Sequence, residues 1–222
     1  SACKNLYATF HSTKVASIDV TGWDVSNVIA FGQCFEAMTN LTEIKGLNTW
    51  NTSSGIDFPQ MFSGCSKLKE LDLSSFDTRK AKNDKTSVST NGSTATCTQY
   101  MFNGCRSLEK ITLGANFTFA GDGTAASTYY GTLPTPSSTY IPNATGSWYG
   151  SNGTVYAVAD IPNLTANTYF ATKLNMLKPN SSWFAPTVST VKRSTITTIN
   201  IVDSYTPSTT PTNSWDASLY KD

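Results

Sequence analysis

The chain has 222 residues, 14% of them charged, and a formal net charge of +1. That length fits one large domain or two small ones. The even charge balance excludes the basic excess of a nucleic-acid-binding surface, and no run of about 18 apolar residues exists to cross a membrane. With 27 Ser, 34 Thr and 17 Asn, side-chain partners for turning backbone are plentiful, while 39% apolar residues suffice for a core. One histidine, His11, leaves little room for a His-based metal cluster or a Ser-His-Asp site.

Taken in chain order, the elements recur. The opening SACKNL matches SGCSKL at 63–68, so a repeating frame is already running there. VASIDVTGWDV from Val15, CFEAMTNLTEIKG from Cys34, MFSGCSKLKELDL from Met61 and MFNGCRSLEKITL from Met101 then fall into one register. Phe35, Phe62 and Phe102 coincide, as do Leu41, Leu68 and Leu108 six residues on, and Ile44, Leu71 and Ile111 three beyond those. Apolar alternation predicts short strands at Ile18–Val20, Ile44–Gly46, Leu71–Leu73 and Ile111–Leu113. The F-x-x-C-x-x-L segment ahead of each strand reads as a turn of helix or 3₁₀ that tucks Phe under it. A single unit cannot bury its apolar face, so the units are expected to stack on one another; each Phe or Leu buried this way contributes roughly 1.5–3 kcal/mol.

The frame is interrupted at about 79–96 by RKAKNDKTSVSTNGSTAT, which has no apolar period and reads as an inserted loop. Beyond Thr118 the repeat stops. The Asn152-Gly153 pair between WYG and TVYAV is a hairpin signal, and that hairpin is the expected cap. Residues 164–177 have loose helical spacing and read as a short helix. Beyond Pro186, STVKRSTITTINIVDSY reads as a strand, and the Ser/Thr/Pro-rich residues after it as an arm or linker to a further module.

The expected fold class is therefore an α/β repeat, a leucine-rich-repeat solenoid of short strands, short helical or 3₁₀ turns and a β-hairpin cap. Residues 1–118 hold the repeats with their inserted loop, 119–185 an irregular segment and the cap, and 186–222 a strand and arm. VASIDVTGWDVSNV, MFSGCSKLKELDLSSFDT and MFNGCRSLEKITL resemble the leucine-rich repeats of BspA-type bacterial surface proteins. The resemblance implies a secreted or surface-anchored, multi-module protein used for adhesion or host contact; related repeats in phage-borne proteins imply a virion component as the alternative.

Candidate functional residues follow from the strand pattern. Ser17, Asp19, Glu43, Lys45, Glu70, Asp72, Lys110 and Thr112 point outward and form the face on which repeat proteins usually bind. Arg79, Lys80, Lys82 and Lys85 in the inserted loop are a candidate anion contact. Aromatics gather from Tyr129 to Phe184 and read chiefly as the core of the cap. Cys3, Cys65 and Cys105 share a repeat position and read as a buried ladder of reduced thiols, with Cys97 the one suited to a disulfide. No G-x-S-x-G, P-loop or C-x-x-C occurs, so neither catalytic residues, metal nor cofactor are expected. The expected function is a non-catalytic extracellular adhesion or recognition module with a protein or glycan ligand on a host or neighbouring cell. The alternative is a structural or receptor-binding phage component that self-assembles through 186–222.

Overall fold

The structure is a computed structural model that describes residues 3–81, 98–119 and 131–173. Within them, seven short strands form two sheets. β1 (Ser17–Asp19) and β2 (Glu43–Lys45) make a parallel pair. β3 (Glu70–Leu73), β4 (Lys110–Leu113), β5 (Trp148–Gly150), β6 (Val155–Tyr156) and β7 (Asn167–Phe170) make a mixed five-stranded sheet in the order β3-β4-β7-β5-β6. β3 and β4 run parallel, and the other pairings are antiparallel.

This corrects the expected fold class. The leucine-rich-repeat solenoid would need one unbroken parallel sheet backed by helical turns. Instead the sheet is split between β2 and β3, its second half is mixed, and no described residue is α-helical. The F-x-x-C-x-x-L segments are neither helix nor 3₁₀. They are turn ribbons in which left-handed residues recur every fourth position: Ala8 and Ser12, Gln33 and Ala37, Gln60 and Gly64, Tyr100 and Gly104. A positive φ at these positions is incompatible with a right-handed helix. Only two 3₁₀ turns occur among the described residues, Leu47–Thr49 and Val158–Asp160.

The ribbon form follows from where its amides go. Within a layer, alternate N–H groups close turns, as from Cys34 to the Phe31 carbonyl (3.2 Å) and from Glu36 to that of Gln33 (3.0 Å). The intervening ones reach the next layer: Gln33 to the Pro59 carbonyl (2.9 Å), Phe35 to Met61 (2.9 Å) and Ala37 to Ser63 (2.7 Å). Each buried amide thus finds a partner, which an isolated helix of about eight residues would not hold stably.

Layer spacing brings equivalent rings into contact. Phe10, Phe35, Phe62 and Phe102 form a column with centroids 5.5, 5.6 and 5.9 Å apart and near-parallel planes. Trp23, Trp50 and Phe76 form a second at 6.3 and 6.5 Å. These are offset-stacking distances. Phe35, Phe62, Trp50 and Phe76 are fully buried in one contiguous core with Leu41, Leu68, Leu71 and Ile111.

The region after the repeats holds a second correction. Residues 167–170, expected within a short helix, form β7 instead, inserted between β4 and β5. Its register with β4, Ile111 opposite Tyr169 and Leu113 opposite Asn167, buries Tyr169 completely. Tertiary pairing overrode a weak helical spacing. The hairpin around Asn152-Gly153 is present as β5 and β6, with Gly153 at φ 83° in its turn. The expected strand and arm in 186–222, and most of the inserted loop, lie outside the described residues.

Candidate binding face

The strands carry side chains alternately inward and outward, and the burial of β3 states it directly: Leu71 and Leu73 are buried, Glu70 and Asp72 exposed. Ser17 and Asp19 on β1 and Glu43 and Lys45 on β2 are likewise exposed, and Lys110 and Thr112 on β4 are half-buried. Across β3 and β4 the face is held in register, Glu70 opposite Lys110 and Asp72 opposite Thr112. The Lys110 Nζ lies 3.0 Å from Glu70 Oε2, and Lys69 Nζ 2.8 Å from Glu109 Oε1. On the two-stranded sheet Asp19 pairs in register with Lys45. The hydroxyl and backbone N–H of Thr21 hold the Asp19 carboxyl below its ordinary range. Exposed pairs of this kind add little to stability; they set the charge pattern of the face more than the stability of the fold.

No backbone pairing joins β2 to β3 among the described residues. The layers are tied at the ribbon and splay at the strands. The resulting open groove, about 510 Å³, is lined by Thr42, Glu43, Ile44, Lys69, Glu70 and Asp72, with Lys110 and Thr112 at its far wall. Six of the eight outward residues expected from the sequence therefore belong to, or adjoin, one groove, Lys45 being next to Glu43 on β2; Ser17 and Asp19 lie on the far side of β2.

The sequence reading missed an aromatic shoulder to this face. Residues opposite one another on neighbouring strands share a face. Lys110 is opposite Phe170, and Phe170 opposite Tyr149. One row therefore runs Glu70, Lys110, Phe170, Tyr149 across four strands, with Phe170 and Tyr149 half-buried. The next row runs Asp72, Thr112, Thr168, with the two threonine hydroxyls 3.0 Å apart. The face appears free of aromatics only while 164–177 is read as helix; the β-branched and aromatic run Thr168-Tyr169-Phe170 was the available signal.

The inserted-loop cations are not brought together in the described residues. Arg79 Nη2 is 2.7 Å from Asp77 Oδ2, which lowers the Asp77 pKa, and Lys80 is exposed; Lys82 and Lys85 lie outside the described residues. Of the cysteines, Cys34, Cys65 and Cys105 are buried free thiols and Cys3 an exposed one. Cys65 Sγ donates to the Phe35 carbonyl and Cys105 Sγ to that of Phe62, both at 3.1 Å, tying each layer to the one before. Burial pushes the Cys65 thiol up to about 12. Cys97 lies outside the described residues. No group of three or more His, Cys, Asp or Glu among the described residues is placed to hold a metal ion, and no helix there is long and apolar enough to cross a membrane.

The layered residues that build this face are also those a family model matches: residues 4–117 fit the model described as "Mycoplasma protein of unknown function, DUF285". The chain belongs to the DUF285 family. The matched span takes in β1 to β4 and all four ribbons, and leaves β5, β6 and β7 beyond it. The DUF285 portion thus supplies the charged part of the face, and the following segment its aromatic shoulder. No curated protein and no solved structure matches the chain.

Proposed function

We propose that this chain is a non-catalytic recognition module of a larger extracellular surface protein. It binds a protein or glycan ligand on a host or neighbouring cell through the outward face of β3, β4, β7 and β5. The observation that carries the reading is the row Glu70, Lys110, Phe170, Tyr149 in register across four strands. Tyrosine is among the residues that binding hot spots favour, and the Tyr149 and Phe170 rings lie beside polar groups near an open groove. They also suit a sugar, whose C–H face stacks on a ring while its hydroxyls meet polar groups. The resemblance of the repeats to BspA-type surface proteins supports an adhesive role outside the cell.

The test is binding of the purified chain to host-cell surfaces and to a glycan array, with Tyr149→Ala and Lys110→Glu against the exposed, off-face control Lys67→Ala. Both face variants are expected to lose at least about tenfold in affinity, the scale of one hot-spot residue. Undiminished binding by both would place the ligand elsewhere, and an inert wild-type chain would remove the recognition reading.

A further inference from the structure

We propose that the gap between β2 and β3 takes a short extended peptide segment, which enters as a strand between the two and pairs with both. This rests on the reading of the outward face as a recognition surface. It narrows the ligand from protein or glycan to a stretch of polypeptide with alternating side chains.

The width of the gap comes first. The layers carrying β2 and β3 are joined at their ribbons, as from the Phe35 N–H to the Met61 carbonyl (2.9 Å). Yet no backbone hydrogen bond joins the two strands among the described residues. Nearly all Cα pairs between β1 and β2 lie within 8 Å, whereas most between β2 and β3 lie beyond it. Paired strands are spaced about 4.8 Å apart, and a guest strand between two walls needs about twice that. Residues 43–73 are all described, so both open edges arise from the splay of two consecutive layers inside the chain.

The walls then define the guest. Ile44 and Leu71 lie at the floor of the groove, and Ile44 is only half-buried, where Leu71 is buried. The repeat frame sets Ile44 level with Leu71, hence Glu43 with Glu70 and Lys45 with Asp72. A guest side chain turned inward covers Ile44. Side chains turned outward lie between Glu43 and Glu70 at one rung and between Lys45 and Asp72 at the next. Opposite charges on neighbouring strands attract and like charges repel. The first outward position therefore favours lysine or arginine. The second, flanked by one charge of each sign, favours a neutral polar residue. Glu43 and Glu70 already meet the exposed Lys45 (3.8 Å) and Lys110 (3.0 Å), so the preference is modest and weakens with salt.

Length is set at the ends of the gap. Lys67 Nζ donates to Asn40 Oδ1 (3.0 Å) at one end and Asn48 Nδ2 to Asp72 Oδ2 (3.3 Å) at the other, each bridging the two layers. The guest is thus three or four residues long, like β2 and β3 themselves, and reads basic, apolar, polar when parallel to its walls. In strand addition, main-chain bonds supply affinity and alternate side chains supply specificity. A glycan has no row of amides with which to meet two open edges.

The experiment is titration of the isotope-labelled chain with the end-blocked peptide Thr-Lys-Val-Thr-Thr, followed by NMR. The amides of β2 and β3 should shift, and at saturation exchange at least about tenfold more slowly. Consecutive amides of a strand point to opposite neighbours, so N-methylation of the lysine alone and of the valine alone should each weaken binding at least about fivefold, the scale of one backbone hydrogen bond. Glutamate in place of the peptide lysine should weaken it at least about threefold, and Glu43→Gln with Glu70→Gln should erase that preference. Tolerance of either N-methyl group would put the peptide on one edge only and overturn the proposal, as would shifts confined to other strands, or no binding. Host-cell or glycan binding that Tyr149→Ala weakens would then leave the wider recognition reading standing. Peptide binding by a chain inert to cells and glycans would instead remove that reading and keep this site.

Discussion

The two ends of the stack solve the same problem differently. At the N-terminal end the aromatic columns stop at a half-buried Phe10 and an exposed Trp23, beside β1, which among the described residues pairs only with β2. At the other end the antiparallel β7 closes onto β4, and Trp148, Tyr169, Leu133 and Ile141 are all at most 3% exposed. Layer geometry is shared; what differs is whether a segment outside the repeat covers the last rung. At the sealed end the cover is β7, set antiparallel between β4 and β5.

The largest effect expected from that contrast is at the sealed end. Trp148→Ala removes a fully buried ring whose Nε1 donates to the Pro134 carbonyl at 2.9 Å. A loss of about 3–5 kcal/mol is expected in urea unfolding, against at most about 1 kcal/mol for the exposed Trp23→Ala. Comparable losses would mean that the N-terminal end is covered in solution.

Between the ends, Asp57 lies in the third ribbon with both carboxylate oxygens buried and without a hydrogen-bond partner among the described residues. Desolvation raises its pKa from 3.8 to about 6. A carboxyl with a raised folded-state pKa favours folding when protonated, so its contribution is fully present below about pH 4 and is lost as pH rises through about 6. Asp57→Asn is therefore expected to add about 3 kcal/mol at pH 8 and to flatten the stability profile between pH 4 and 6. Asn5, an amide, occupies the equivalent place two layers earlier. Unchanged stability at pH 8 would show that water or a rearrangement satisfies the charge.

Two glycines sharpen the picture at smaller scale. Gly46 and Gly22 have nearly the same left-handed φ, 79° and 77°, but a Cβ on Gly46 would sit 2.5 Å from the Thr21 backbone, where one on Gly22 meets nothing within 4 Å. Gly22→Ala should cost about 1 kcal/mol for its backbone alone, and Gly46→Ala clearly more, because it wedges the first layer from the second. Equal costs would place the strain in the dihedral and not in the layer contact. Last, native iodoacetamide labelling should reach Cys3 rapidly and Cys34, Cys65 and Cys105 only through unfolding, since exposure and a low pKa govern thiol reactivity.

Sequence by itself determined what stacks. The spacing of Phe35, Phe62 and Phe102 survives as a column because near-equal chain intervals bring like residues to like positions, and Leu71 and Ile111 face inward because strand alternation is local. The candidate residues from Glu43 to Thr112 were legible for the same reason. Only the tertiary structure decided the rest. F-x-x-C-x-x-L fits a helical turn as well as a ribbon, and the choice between them is made by amides that bond to the next layer, far away in sequence. Residues 167–170 became a strand because β4 and β5 each offered an edge, and that pairing carried Phe170 into the outward row with Lys110 and Tyr149. The break between β2 and β3 likewise reflects how whole layers pack, which no local pattern encodes.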